Sequence, residues 1–172
     1  MILRTAKTLL IFSVVFYYLI AILNNLIDYD LNYQCIQHVL TMDTIYPDNN
    51  SMWRALTAPF WHKFVFVVIN IWEIVTLIFC CWGGIRMVQA IRSDAAVFNH
   101  AKNIAIAALT LSLLMWLVGF LTIGGEWFLM WQSKTWNFQS GALRMFTFIG
   151  IIMLIVMQPD GAVTKKGSSL EL

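Results

Sequence analysis

Charge is what this sequence has least of. Of 172 residues only 9 are acidic and 11 basic, 12% in all, against about 25% in an ordinary globular chain. That deficit excludes soluble enzymes, secreted modules and disordered tails together. The net charge of +2 is too small and too scattered for a nucleic-acid partner. Cysteine is scarce as well. Cys35, Cys80 and Cys81 are an odd number, and two of them are neighbours inside an apolar run, so neither a disulfide framework nor a zinc spacing can be read from them. Cys80 and Cys81 read as packing or lipid-facing residues, and Cys35 as a free thiol in preference to an intermolecular bridge. There is no internal repeat and no low-complexity stretch. Gly124-Gly125 precedes Glu126 in an apolar run instead of following a strand, so no phosphate loop is implied, and no Ser or Cys sits in a nucleophile elbow. What remains is 60% hydrophobic and 15% aromatic, with mean hydropathy +0.73. The solvent of such a chain is lipid.

Four stretches approach the ~20 residues that cross a bilayer core as helix. Thr8 to Ile27 and Asn103 to Gly125 carry no charge, and Phe64 to Ile85 carries only Glu73. Met145 to Pro159 is uncharged but short. Starting it near Gly141 adds a turn and puts Arg144 at its edge, where the long side chain can snorkel to water. The expected fold is therefore all-α: one polytopic membrane domain over residues 1–166, a four-helix bundle with spans at about 8–27, 64–88, 103–125 and 141–158 and outer loops at 28–63 and 126–140. Residues 167–172, Gly-Ser-Ser-Leu-Glu-Leu, resemble a cloning scar and are set aside.

Orientation follows from the positive residues, because basic loops are retained in the cytoplasm. With the N-terminus inside, the inner set is Arg4, Lys7, Arg86, Arg92, Lys102, Lys165 and Lys166, against Arg54, Lys63, Lys134 and Arg144 outside. Both termini are expected to be cytoplasmic. Ala21 to Leu26 offers no small-x-small cleavage site, so the first span reads as a retained anchor. In the first outer loop, Asp30 or Asn32 is placed to cap a helix carrying Ile36, Val39 and Leu40, and Ser51 another with Met52, Trp53 and Leu56 before Pro59. Both are expected to lie on the membrane, roofed by a crowd of rings that includes Trp53, Phe60, Trp61, Trp127, Trp131 and Trp136, since amphipathic rings settle at headgroup depth.

Three groups of residues are candidates for chemistry. Glu73 falls nine residues in from Phe64, roughly 13 to 14 Å deep, where an unpaired charge costs at least ~2.5 kcal/mol. Tyr17, Tyr18 and Trp116 are the expected partners at matching depth, with Asn70 one turn away. The group reads either as a proton or cation site or, preferably, as an interhelical hydrogen-bond clamp. The second group gathers at the outer ends: Asn24, Asn25, Asp28, Asp30 and Asn32, with Glu126 and Arg144 expected to pair and latch the second loop. The third is His38 with Met42 and Asp43, joined by Met52 and His62, where a copper site or a base and its orienter can be imagined; neither a metal nor a catalytic role is assigned. Gly83, Gly84, Gly119, Gly124 and Gly125 let helices approach closely.

The chain resembles the bacterial family catalogued as domain of unknown function 2165, predicted small integral membrane proteins. The resemblance rests on Asn24-Asn25-Leu26-Ile27-Asp28-Tyr29, His38-Val39-Leu40-Thr41-Met42-Asp43-Thr44, Trp53-Arg54-Ala55, and above all Gly124-Gly125-Glu126-Trp127-Phe128 with Met130-Trp131-Gln132 and Trp136-Asn137. It implies a four-helix protein of the Gram-negative inner membrane with its polar residues on the outer side, and it carries no activity, cofactor or catalytic residue onto any position. The first functional reading is accordingly a non-enzymatic structural or accessory protein that binds membrane lipid, another membrane protein or a second copy through its outer face. The alternative is a small oligomeric channel or transporter using Glu73 with Glu126 and Arg144. Copper handling or a lipid-modifying enzyme stands behind both.

Overall fold

The computed structural model describes residues 1–161, so Lys165, Lys166 and the terminal 167–172 lie outside the described residues. Helix α1 (Ile2–Ile27) breaks at Asp28, and α2 (Tyr29–Thr41) starts at once. Asn32 fastens this corner, its side-chain amide donating to the carbonyl of Asp28 at 3.0 Å. Helix α3 (Pro59–Gln89) opens with proline in its first turn, where the missing N–H would have no intrahelical partner anyway. A short turn leads to α4 (Ala95–Ala101) and α5 (Asn103–Leu114), which continues without a break as a π-helix, Met115–Trp127. Helix α6 (Gln139–Met157) is the last helix among the described residues, and 3-10 turns occupy Met52–Arg54 and Met130–Gln132.

Four helices, Ile2–Ile27, Pro59–Gln89, Ala95–Trp127 and Gln139–Met157, are long and apolar enough to cross a membrane. They are helices because a segment in hydrocarbon must satisfy every backbone N–H and C=O within itself. Their outward faces are apolar, with Phe16 65% and Leu154 68% exposed, as lipid contact demands. Helix α1 packs on α3, α3 on α5, and α6 closes the ring against α5 and its π extension. The core between them is Ile11, Val14 and Tyr18 of α1, Cys80 and Met87 of α3, Ala105, Ala108 and Leu109 of α5, and Ile149 and Val156 of α6. α3 and α5 come close at Gly83, where an added Cβ would stand 2.6 Å from the backbone nitrogen of Ala105. Lipid tails offer little hydrophobic drive between helices, so tight contact of small residues is what holds such a pair.

The ends differ from the sequence expectation in ways that have causes. Helix α3 begins at Pro59, more than a turn ahead of Phe64, where Val65 packs against the cap core and Phe66 meets Tyr29 and Tyr33 of α2. Helix α2 starts next to Asp28 instead of at an Asp30 or Asn32 cap, and no side chain caps it. After Ser51 there is only a single 3-10 turn, with Asn49 Oδ1 accepting the Ser51 N–H at 2.8 Å. Within Met115–Trp127 the spacing is i to i+5: Phe128 N donates to Ile123 O at 3.0 Å, and Thr122 Oγ1 to Leu117 O at 2.9 Å.

Both long loops lie at one end, hereafter the loop end. There α2, residues 43–58 and residues 128–138 fold into a cap over their own small core of Leu40, Met42 and Phe128, backed by Ile36, Val39 and Leu56. Met42 takes a left-handed backbone, φ 55°, which terminates α2, and its burial to 1% exposure offsets the ~1–2 kcal/mol such a conformation costs a non-glycine residue. The two loops are stitched together. Thr44 Oγ1 donates to Ser133 Oγ at 2.8 Å, and Gln132 Oε1 accepts from the Tyr46 backbone N–H at 3.1 Å and from Asn49 Nδ2 at 3.2 Å.

Candidate functional site

Glu73 is 6% exposed, and its side-chain hydrogen bond comes from Asn25, whose Nδ2 lies 2.7 Å from Oε2. Asn25 belongs to the last turn of α1, so Glu73 is level with the loop end of that helix and shallower than a count from Phe64 gives. The register of α1 on α3, with Phe12 beside Gly84, agrees with this placement. The expected donors are engaged elsewhere. Tyr18 is fully buried and shares a 2.6 Å hydrogen bond with Ser112 Oγ. Tyr17 stands edge-on to Tyr18, centroids 5.3 Å apart. Trp116 leans against Phe120 at 4.9 Å, and its buried indole nitrogen has no partner among the described residues. Asn70 bonds back to Phe66 O on its own helix at 2.8 Å. The interhelical contact at Glu73 is thus an acid with a neutral amide, and Trp116 is not its donor.

Glu126 and Arg144 are both exposed, and no ion pair joins them among the described residues. The reason is the π segment. Five-residue spacing carries Glu126 to a different face from the one an α-helical count assigns. Asn24 and Asp28 are exposed at the α1–α2 corner, where their carbonyls serve Asp28 N and Asn32 Nδ2.

In the cap, His38 Nδ1 meets Asp43 Oδ2 at 2.8 Å while its ring stacks on Trp136, centroids 4.7 Å apart. Met42 turns away into the cap core, and the buried His62 places Nε2 2.7 Å from Leu56 O. The residues imagined as copper ligands therefore point to different partners, and no group of three His, Cys, Asp or Glu positioned for a metal exists among the described residues. Burial of Cys35, which is not complete, pushes its thiol up from the usual range.

The most organised surface feature is a Trp-Arg-Trp stack. The Arg54 guanidinium lies 4.7 Å from the ring of Trp127 and 5.4 Å from that of Trp53, and the two indoles meet edge-on at 5.8 Å. Arg54 Nη1 donates to Trp127 O at 3.3 Å, and Nε is buried without a partner among the described residues. Trp53 is 72% and Trp127 46% exposed. Close by in sequence, Trp131 is also exposed and meets Tyr46 at 6.2 Å. Cation–π contacts of this kind are worth about 0.5–1 kcal/mol at an exposed site, enough to hold the stack in one shape.

At the opposite end is a cluster that the sequence reading did not single out. Lys7 and Lys102 both place Nζ 2.8 Å from Asp160 Oδ2, and both donate to Gln158 O, at 2.6 and 2.8 Å. Arg4 donates to the carbonyls of Ile91, Ser93 and Gly161. Asn99 exchanges two hydrogen bonds with the Asp160 backbone. Burial raises the Asp160 carboxyl, but the hydrogen bonds and charges of Lys102 and Lys7 outweigh it and hold the group below its ordinary value. This knot ties the segment after α6 to α1 and α5. Its only trace in the sequence is a lone acid following the fourth apolar run.

A family model described as a predicted small integral membrane protein matches residues 3–159. No curated protein and no solved structure matches the chain.

Proposed function

The chain belongs to the DUF2165 family of predicted small integral membrane proteins, and from that premise we propose that it is an accessory protein that docks a partner membrane protein through its loop end. The observation that carries this reading is the Trp53-Arg54-Trp127 stack. Trp and Arg are the residues that dominate binding energy at protein interfaces, and here they are exposed, mutually ordered and mounted on a cap with its own core, so little conformational freedom is left to lose on docking.

In this reading the loop end faces the periplasm and both termini the cytoplasm of a bacterial inner membrane. Arg4, Lys7, Arg86, Arg92 and Lys102 stand at the end where α1 begins and α6 finishes, which supports the orientation. A photo-crosslinking residue in place of Trp53, compared with one in place of the lipid-facing Phe148, tests the docking surface in living cells. Position 53 should give one discrete protein adduct and position 148 only lipid. Adducts to lipid alone at both positions would contradict the proposal.

A second reading, movement of a proton or small cation, is favoured by one observation: the hydrogen-bond partner of buried Glu73 is a neutral amide. Liposome flux that disappears in Glu73→Gln would support it over the accessory role.

A further inference from the structure

At the end opposite the cap, α3, α4 and the turn between them border an open surface cavity of about 420 Å³ lined by Arg86, Gln89, Ser93 and His100, with Ala90 and Val97 among its apolar walls. We infer that this cavity binds the phosphate of an anionic phospholipid headgroup. Around this end stand Arg4, Lys7, Arg86, Arg92 and Lys102 against Asp94 and Asp160. Asp160 is consumed by Lys7 and Lys102, and Arg4 is spent on backbone carbonyls. Asp94 is exposed and enters no ion pair among the described residues. Arg86 has neither an ion pair nor a side-chain hydrogen bond among the described residues, and His100 meets only Asn103, at 3.4 Å. A guanidinium, an imidazole, an amide and a hydroxyl thus line one concavity, and the guanidinium has two donors suited to paired phosphate oxygens.

Position selects a lipid over a soluble phosphoester. The cavity lies between the end of the second span at Gln89 and the start of the third at Ala95, so a bilayer around the four apolar helices would set it at headgroup depth. Ile85, Val88 and Val97 beside it are 50%, 48% and 52% exposed, a surface for acyl chains directly next to the polar lining. Arg4 braces the site from behind, because its 2.6 Å bond to Ser93 O fixes the turn between α3 and α4. Basic pockets between transmembrane helices hold anionic headgroups on this physical basis, charge attraction next to a hydrocarbon wall.

The test uses the whole chain in detergent, read by native mass spectrometry with phosphatidylglycerol and phosphatidylcholine of identical acyl chains. Wild type should retain one phosphatidylglycerol in clear preference to phosphatidylcholine. Arg86→Gln should weaken phosphatidylglycerol retention roughly fivefold, the loss expected for one surface cation, and Arg86→Gln with His100→Gln further. Arg86→Lys should keep most of the preference, and Arg144→Gln at the loop end all of it. Both lining residues are exposed and make few contacts, so the variants should elute as the wild type does. Equal retention of the two lipids by wild type, or an unchanged preference in the double variant, would overturn the inference. Inorganic phosphate or glycerol phosphate at low concentration should leave the bound lipid in place; displacement would make the ligand a soluble phosphoester and overturn the lipid assignment. The loop-end docking proposal is untouched by either result.

Discussion

Asn25 closes over Glu73, its side-chain nitrogen 2.7 Å from a carboxylate oxygen that is almost wholly withdrawn from solvent. The bond joins the last turn of α1 to the middle of α3 and sets the register between them. Asn25→Ala leaves the acid buried without its donor and should destabilise the bundle by about 1.5–3 kcal/mol, the cost of an unsatisfied charged acceptor. Glu73→Gln keeps a side-chain acceptor for Asn25 and should cost less. Thermal unfolding of both variants in the same detergent checks the order, and an equal loss in both would show that the amide does not support the acid.

Glycine substitutions should separate by what the new methyl meets. In Gly83→Ala the Cβ faces the Ala105 backbone at 2.6 Å, which cannot yield, so α3 and α5 must part at a cost of roughly 1–3 kcal/mol. In Gly84→Ala it meets the Phe12 ring at 3.1 Å, and in Gly125→Ala only the tip of the Gln139 side chain, which can swing away. Melting temperatures should therefore fall most for position 83 and least for position 125. The reverse order would refute the close crossing.

Asp160 makes the terminal knot sensitive to acid. Its folded carboxyl titrates below its ordinary value of about 3.9, so its contribution is fully present above that value and is lost as pH falls through the lowered one. The part of the stability that Asp160 supplies, read as the difference between wild type and Asp160→Asn, should thus be level from neutral pH down to about pH 4 and shrink below it. Asp160→Asn removes the negative charge from Lys7 and Lys102, which are 5% and 2% exposed. It should cost about 3–5 kcal/mol at neutral pH, as when one partner of a buried ion pair is removed. A melting curve of Asp160→Asn that matches wild type at neutral pH would show that the knot bears no load.

The spans were legible because charge is excluded from them, a signal that needs no knowledge of neighbours. The partner of Glu73 was not, because counting depth from Phe64 assumes that helices start flush at the membrane, whereas α3 overshoots to Pro59 to meet α2. Asn25 was visible in the sequence as one of an outer polar group. The π segment left no compositional mark, since Met115 to Trp127 is as apolar as any α-helical span, and with it went the expected pairing of Glu126 with Arg144. Asp160 was overlooked because a single acid past the last span reads as solvated until the chain folds back onto Lys7 and Lys102.

Cys35 reports orientation. Burial raises its thiol above the ordinary cysteine range, so at neutral pH the reactive thiolate is scarcer than in a free cysteine. An impermeant maleimide applied to spheroplasts should label it slowly, and faster as pH rises. Cys80, fully buried in the bundle, should stay unmodified. Labelling that requires permeabilised membranes would place the loop end in the cytoplasm.

The docking role is tested most directly by the occupancy of a partner on protein extracted in mild detergent and weighed by native mass spectrometry, wild type beside Arg54→Ala. A stoichiometric protein adduct should be present on wild type and fall roughly 30-fold in the variant, as for an interface residue worth ~2 kcal/mol, with the bundle's melting temperature unchanged. A wild type that flies as a bare monomer, or an adduct indifferent to Arg54, would contradict the account.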